Sequence, residues 1–189
     1  DIEIIKAIPP RNGDREPGIE YCGGFEDHEN CGVSVICAYD YATGRYRVFM
    51  EDNFAEFVAL ADDPASMPVI GFNSMSFDDK VLAANELAVT TNYDLLREMW
   101  RSVGLGPEFQ YPTHVGFSLD ATAKANGLPG KTGHGALAPV QWQLGEIGQV
   151  VDYCLEDVRL TKTLIDKVLR YGRLTDPRFP DRVLRLPRP

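Results

Sequence analysis

Tyr153-Cys154-Leu155-Glu156-Asp157 lies in the most periodic stretch of the chain, which runs from residue 146 to residue 171. Apolar side chains recur there at helical spacing, so the stretch is predicted to form one long amphipathic helix. Tyr153 and Asp157 are four residues apart and therefore share one helix face. The apolar residues around them indicate that this face turns toward the protein body, where a carboxylate needs a partner. A surface position for both residues is the alternative.

A second acidic pair stands at the start of the chain, within the isoleucine-rich residues 1–7, whose alternation predicts a β-strand. Asp1 and Glu3 are two residues apart, so their side chains point to the same face of that strand. Two carboxylates on one face repel each other unless a cation lies between them. A solvated strand face would carry the same pair, so the pair by itself is weak evidence for a metal site.

The third acidic signal is Asn73-Ser74-Met75-Ser76-Phe77-Asp78, in the middle of the chain. It follows an apolar run over 68–72, predicted as a buried strand, and leads into a predicted helix. We expect Phe77 to hold the turn and Asn73 to cap or tie the loop. An acid here also suits a helix N-terminus with no further role, and the neighbouring Asp79 leaves the choice of carboxylate open.

The remaining periodicities alternate between strands and helices. Further strands are predicted over 33–39 and 45–50, joined as a hairpin by the turn at 41–44. Further helices are predicted over 53–60, 77–87, 93–103 and 119–125, the last of them capped by Ser118. This order predicts an α/β fold in which a sheet with an antiparallel hairpin is covered by helices. We expect one domain over 1–172 and an irregular basic tail over 173–189, because the tail has four prolines and no period.

The composition is that of an ordinary globular protein, with 189 residues and a net charge of -9. Residues 1–158 carry 10 basic and 25 acidic side chains, whereas residues 159–189 carry 9 and 3. An acidic body suits divalent cations and a basic end suits an anionic partner, although a solvated helix face followed by a basic tail would have the same distribution. The sequence has no run of 18 apolar residues and its acidic start does not resemble a secretory signal, so we expect a cytoplasmic protein without a membrane partner.

The four cysteines are expected to be reduced thiols, because a chain of this size does not need disulfides. Cys22, His28 and Cys31 lie close together in the aperiodic residues 9–30 and raise the alternative of a zinc site. Their spacing matches no standard zinc knuckle and the sequence offers no evident fourth ligand, so zinc is disfavoured.

Together, the three acidic segments resemble the DEDD superfamily of 3′–5′ exonucleases, also called DnaQ-like. The first family motif, DxE, matches Asp1 and Glu3, and the second, N-x-x-x-F-D, matches the run from Asn73 to Asp78. The third motif, Y-x-x-x-D, matches the pair on the long helix. The histidine subgroup has a histidine five residues before its last aspartate, and Asp152 stands there, so the tyrosine subgroup is preferred.

Three further segments resemble the exonuclease domain of B-family DNA polymerases: Tyr93-Asp94-Leu95-Leu96, Ser118-Leu119-Asp120 and Gly130-Lys131-Thr132-Gly133. The resemblance spans almost the whole chain, with its motifs in the family order. The chain departs from the family at its start, because the family has strand residues before the position of Asp1.

The resemblance implies a ribonuclease H-like fold, in which a mixed sheet of an antiparallel hairpin plus parallel strands is flanked by helices. It implies a metal-dependent exonuclease that hydrolyses phosphodiester bonds at the 3′ ends of single-stranded DNA or RNA. Two Mg²⁺ or Mn²⁺ ions would clamp the scissile phosphate, and Tyr153 would orient the attacking water. The implied metal ligands are Asp1, Glu3, Asp78 and Asp157, which together with Tyr153 form the predicted catalytic set.

Four residues are predicted to contact the substrate: Asn73, Phe77, Lys131 and His134. Gly130-Lys131-Thr132 looks like the end of a P-loop, but Ala125 stands where that motif needs glycine, so ATP binding is rejected. An ordinary flexible loop is the alternative for residues 128–135. A catalytically weak nucleic-acid-binding domain and a ribonuclease H-like endonuclease are the alternative functions.

Overall fold

The computed structural model describes residues 1–63, 68–87, 89–131, 133 and 135–189. The strands in those residues are β1 (Ile2–Ile4), β2 (Val33–Asp40), β3 (Arg45–Phe49), β4 (Ile70–Gly71), β5 (Tyr93–Asp94), β6 (Arg173–Asp176) and β7 (Phe179–Arg185). The helices are α1 (His28–Cys31), α2 (Phe54–Asp62), α3 (Asp78–Ala84), α4 (Leu95–Ser102), α5 (Leu119–Ala125), α6 (Ala138–Gln143) and α7 (Ile147–Tyr171). Short 3₁₀ turns at Ser74–Ser76 and Gly135–Leu137 precede α3 and α6.

An antiparallel sheet of order β1-β2-β3 forms the middle of the molecule. Ile2 lies opposite Ile36 and Glu3 lies opposite Val35. Opposite residues project to the same face, so the two isoleucines share one face while Glu3 and Val35 share the other. Residues 33–37 of β2 are buried throughout, which requires cover on both faces of the sheet.

Helices cover both faces. One face packs on α7 through a cluster of buried apolar side chains: Val35, Cys37, Val150, Cys154 and Val158. The other face packs on α2 and α3 through a second cluster: Ile2, Ile36, Phe49, Phe57, Val81 and Leu82. The predicted α/β class is therefore confirmed, and the layer order turns Glu3 toward the helix that carries Tyr153 and Asp157.

The parallel strands form a separate pair, β4 with β5. In the described residues no hydrogen-bonded pairing joins this pair to the β1-β2-β3 sheet, so the single mixed sheet of the ribonuclease H-like arrangement stays a prediction. A cavity of about 180 Å³ lies between β2 and β4. Its lining includes Ile36, Ala38, Ile70 and Phe72, with Asp1 and Asp78 also at its wall.

Most predicted helices are confirmed, with differences at their ends. The long helix is Ile147–Tyr171, and the helix after Ser118 is Leu119–Ala125, capped by a hydrogen bond from the Ala121 N–H to Ser118 Oγ. The short helices α1 and α6 have no counterpart among the predicted elements. Among the described residues, no helix combines the length and apolar character needed to span a membrane.

The prediction of an irregular tail over 173–189 is wrong. β6 and β7 form an antiparallel hairpin, and Leu174, Leu184 and Leu186 are buried in the same cluster as the C-terminal half of α7. Burial of these leucines stabilises an ordered hairpin, although the prolines in this segment predicted an irregular structure. The prolines lie in the turn, on the exposed edge strand β7 and past its end, which are positions that tolerate proline.

The segment predicted as a helix over 93–103 begins as a strand, because its first two residues pair with β4. The chain becomes helical at Leu95. The Asp94 carboxylate caps this helix by accepting hydrogen bonds from the backbone N–H groups of Leu96 and Arg97. A capping interaction of this kind satisfies backbone donors that have no partner inside the helix.

Asp94 also holds the loop that leads to Asp78. Its oxygens accept hydrogen bonds from the N–H groups of Asn73, at 2.9 Å, and Met75, at 3.1 Å. Asn73 has a left-handed φ of 65°, which asparagine tolerates better than most residues. Burial raises the pKa of Asp94, which is 2% exposed, against the opposing effect of its four backbone hydrogen bonds. One buried carboxylate thus positions both α4 and the approach to α3.

Replacement of Asp94 by alanine should lower the free energy of unfolding by about 2–4 kcal/mol, because four backbone N–H groups lose their acceptor. Urea unfolding followed by circular dichroism measures this change. Asp181→Ala, at an exposed position of β7, is the control and should change the value by less than about 0.5 kcal/mol. Equal stability of D94A and the wild type would contradict the capping role.

Candidate metal centre

Carboxylates from three distant segments influence one another around Glu3, which lies on β1. The charges of Asp157 and Asp78 both act on Glu3, and both raise its pKa. Ligand atoms of Asp1, Glu3 and Cys154 lie within 4.8 Å of one another. Among the described residues the structure therefore brings Asp1 and Glu3 together, whereas Asp78 and Asp157 lie outside that group and act on Glu3 through their charge.

Glu3 lies in the least favourable environment for a negative charge. It is 7% exposed, and burial is the main cause that raises its pKa to about 8. The negative charges of Asp157 and Asp78 add to this effect, whereas Lys131 opposes it. Without a bound cation, Glu3 therefore keeps its proton at neutral pH. A divalent cation reverses such a shift because it favours the charged carboxylate.

Asp157 has one oxygen paired and one unpaired. Oδ2 accepts a hydrogen bond from Lys131 Nζ at 2.5 Å. Oδ1 is buried and has no hydrogen-bond partner in the described part of the chain. Burial raises the pKa of Asp157, although Lys131 lowers it. A buried carboxylate oxygen without a partner is costly in free energy, and a cation bound beside Glu3 would give it one.

Lys131 lies between Asp157 and Tyr153. Its Nζ is 4.7 Å from the centre of the Tyr153 ring, a cation–π distance. Burial works against the charge of Lys131, but its interactions with Asp157 and Tyr153 prevail and raise its pKa. The ammonium group is therefore charged at neutral pH and occupies one side of the Asp157 carboxylate. The predicted contact of Lys131 with a phosphate remains a prediction.

The Tyr153 side chain lies against the backbone at Gly133 and Gly135. A Cβ atom on Gly133 would lie 2.6 Å from Tyr153 Cδ2, and a Cβ atom on Gly135 would lie 3.2 Å from the Tyr153 hydroxyl. No side chain fits at Gly133 without displacing the ring, so the loop backbone packs directly on it. Burial raises the pKa of Tyr153, Lys131 opposes the shift, and Asp157 adds to it. The phenol is therefore protonated at neutral pH.

The structure distinguishes Asp78 from Asp79, which the sequence left open. Asp79 accepts hydrogen bonds from the Thr91 hydroxyl, at 2.7 Å, and the Thr91 N–H, at 3.1 Å. It therefore connects α3 to the segment before β5. Burial raises the pKa of Asp78. The charge of Asp78 also acts on Glu3, and Asp78 stays the predicted ligand.

The residues predicted to contact the substrate lie in different surroundings. Phe77 stacks on Phe25 with ring centres 4.9 Å apart, and Phe25 is 49% exposed. The backbone of Asn73 is held by Asp94, as described above. His134 lies outside the described residues. The structure contains no substrate, so these contacts stay predictions.

Two positioning residues are missing from the predicted site. Asp94 holds the loop before Asp78, and Asp120 holds the loop that carries Lys131. Asp120 Oδ1 accepts a hydrogen bond from the Lys131 N–H at 2.9 Å, while Oδ2 pairs with Lys124 at 2.7 Å. Both aspartates belong to segments on which the predicted resemblance to the polymerase exonucleases is based. Their long-range partners have no signal in local sequence spacing.

The described residues do not bring Cys22, His28 and Cys31 together as metal ligands. In that part of the chain, the group of three possible ligands found within 4.8 Å consists of Asp1, Glu3 and Cys154. All four cysteines are buried free thiols.

Comparison of the chain with protein-family models, curated proteins and solved structures finds no match. The proposed function therefore depends on the chemistry of the carboxylate cluster.

In EDTA, the free energy of unfolding should fall as the pH rises from 4.5 to about 8. Folded Glu3 keeps its proton through this range, whereas the unfolded chain loses it near pH 4.5, so raising the pH favours unfolding. One proton contributes a slope of at most about 1.4 kcal/mol per pH unit. Urea unfolding at several pH values measures the slope.

Glu3→Gln is neutral at every pH and should reduce this slope by about one proton's contribution. Glu56→Gln, at an exposed position on α2, is the control and should leave it unchanged. The same slope in E3Q and the wild type would show that the pKa of Glu3 is not raised.

Proposed function

We propose that this protein is a metal-dependent 3′–5′ exonuclease that hydrolyses phosphodiester bonds of single-stranded DNA or RNA. The observation that supports the proposal best is the convergence of Glu3, Asp78 and Asp157 with too little compensating charge. A purely structural cluster of acids pairs its oxygens with basic side chains. Here Glu3 is protonated and Asp157 Oδ1 has no partner within the described residues.

The donor set suits Mg²⁺ or Mn²⁺, because these hard cations prefer carboxylate oxygens. Asp1, Glu3, Asp78 and Asp157 would hold the ions, as the resemblance to the DEDD exonucleases implies. When bound, two such ions supply Lewis-acid activation of a water molecule and stabilise the charge on the scissile phosphate. The unpaired Asp157 Oδ1 is an observed atom that such an ion would satisfy.

Tyr153 acts in this proposal as a hydrogen-bonding group and not as a base. Its raised pKa keeps the hydroxyl protonated at neutral pH. The ring is held by Gly133, Gly135 and Lys131, so the direction of the hydroxyl is set before substrate binds. Asp157 lies one helical turn away, which places the hydroxyl beside the proposed metal ligands.

Lys131 exchanges partners in this proposal. In the structure its ammonium group neutralises part of the Asp157 charge. If Asp157 held a cation, its charge would be balanced without Lys131, and Lys131 would be free to take another partner. The ammonium group stays charged and is then available to a phosphate oxygen, on the same side of the site as Tyr153.

The purified protein should shorten 5′-labelled single-stranded DNA or RNA from its 3′ end when Mg²⁺ or Mn²⁺ is present. Gel electrophoresis of the labelled products measures this as a ladder that shortens with time. EDTA should abolish the reaction and excess Mn²⁺ should restore it. Activity that persists in excess EDTA would overturn the metal dependence, and cleavage of a circular single strand would favour the endonuclease.

Two neighbouring variants provide the matched control for this assay. Asp78→Asn should lower turnover by more than about 10²-fold. Mutation of a residue that only hydrogen-bonds to a metal ligand already costs up to that factor, and Asp78 is proposed to be a ligand itself. Asp79→Asn should retain turnover and lose only stability, since Asp79 pairs with Thr91. Equal losses in both variants would mean that the assigned ligand is wrong.

Tyr153→Phe should lower turnover by about 10²–10⁴-fold, the range expected when a positioned proton-handling group is removed. The Mn²⁺ affinity of this variant should hardly change, because the phenol is not a proposed ligand. Titration with Mn²⁺ and single-turnover assays measure the two quantities separately. Tyr171→Phe, at an exposed tyrosine, is the control. Turnover of Y153F equal to that of the wild type would reduce Tyr153 to a packing residue.

A further inference from the structure

Two cysteines outside the candidate metal centre face each other. The sulfur atoms of Cys22 and Cys31 are 3.6 Å apart, with the Cys31 thiol donating toward Cys22. Both side chains are buried, at 3% and 0% exposure. They are nine residues apart in the chain and neither takes part in the proposed reaction.

Backbone hydrogen bonds hold each cysteine separately against the stretch that follows β1. The Cys22 N–H donates to the Ala7 carbonyl at 3.0 Å. The Cys31 carbonyl accepts from the N–H groups of Ile5, at 3.1 Å, and Lys6, at 2.9 Å. The short distance between the sulfurs therefore follows from the backbone of both segments and not from one mobile side chain.

The span between the cysteines is also folded back on itself. Asp27 accepts hydrogen bonds from the Gly23 N–H at 2.5 Å and from Asn30 Nδ2 at 2.7 Å. These contacts hold the turn that returns the chain toward Cys22. The entropy of closing this loop is already lost on folding, so joining the two sulfurs needs little further ordering.

We propose that Cys22 and Cys31 form a reversible intramolecular disulfide when the protein meets a mild oxidant such as a peroxide or a low-molecular-weight disulfide. Two S–H bonds break and one S–S bond forms, and the oxidant takes up two electrons and two protons. Hydrogen peroxide is reduced to two molecules of water, and a small disulfide is reduced to two thiols.

The rate of this reaction depends on thiolate formation. Burial, with a contribution from the neighbouring Cys22, raises the pKa of the Cys31 thiol to about 12. Few Cys31 thiolates therefore exist at neutral pH, and closure is faster in alkaline solution.

The disulfide would fasten a loop that touches two of the elements of the candidate site. α1 ends at Cys31 and packs on α3, which begins with Asp78. The Asn85 side chain adds a hydrogen bond from the end of α3 to the His28 carbonyl, at 3.2 Å. The segment bonded to Cys31 follows directly after Glu3 in the chain. The proposal is independent of the exonuclease activity, since it requires only the thiol geometry.

Oxidised glutathione at pH 8, followed by blocking of the remaining thiols in denaturant, tests the proposal on the native protein. Two of the four thiols should disappear, and Glu-C digestion, which cuts at Glu26 and Glu29, should yield two peptides joined by a disulfide. Oxidation should raise the melting temperature by about 5 °C, and dithiothreitol should reverse the change.

Three variants assign the sulfurs. Cys22→Ser and Cys31→Ser should each lose the joined peptides and the rise in melting temperature, whereas Cys37→Ser should keep both. Having two variants guards against a folding defect in one of them. Cys37 and Cys154 also contact each other, so a disulfide between those two would overturn the proposal. Four free thiols after oxidation, a disulfide between two chains, or glutathione attached without joined peptides would overturn it as well.

Discussion

The contact between α7 and the β1-β2-β3 sheet is the constraint on which the candidate site depends. Buried apolar residues such as Val35, Val150 and Cys154 hold the helix on one face of the sheet. Each fully buried side chain of this kind contributes about 1.5–3 kcal/mol to stability. That same face carries Glu3, and the adjoining turn of α7 carries Asp157, so apolar packing brings two acids together that would repel each other in isolation.

The resulting charge is balanced only in part. Lys131 neutralises one oxygen of Asp157. Glu3 responds by holding its proton, and Asp157 Oδ1 stays unpaired within the described residues. Strain of this kind lowers the stability of a fold and is typical of functional sites, because the ligand that relieves it binds more tightly. This charge imbalance is the physical basis of the proposed cation-binding function.

Three further carboxylates hold the loops and the helix that carry the residues of the candidate site. Asp94 fixes the approach to Asp78, and Asp120 fixes the start of the loop that carries Lys131. Asp79 joins α3 to Thr91. These acids bind backbone or hydroxyl donors and need no cation, which separates them chemically from the four proposed ligands. The thiols of Cys22 and Cys31 lie in another part of the structure, where the residues after β1 contact the end of α1. Backbone hydrogen bonds hold the loop there, independently of the proposed metal ligands.

Sequence periodicity alone determined the α/β class, the long helix with Tyr153 and Asp157 on one face, and the helix capped by Ser118, because these features depend on local spacing and local hydrogen bonds. The acids of the candidate site were instead predicted from a resemblance to family motifs, and their role as ligands stays a prediction. Tertiary structure decided what depends on distant partners. Tyr93 is in a strand because β4 lies beside it. The tail is a hairpin because its leucines are buried against α7. Asp79 differs from Asp78 because Thr91 donates its hydrogen bond to Asp79. Local spacing cannot encode such contacts, because each is made with residues far away in the chain.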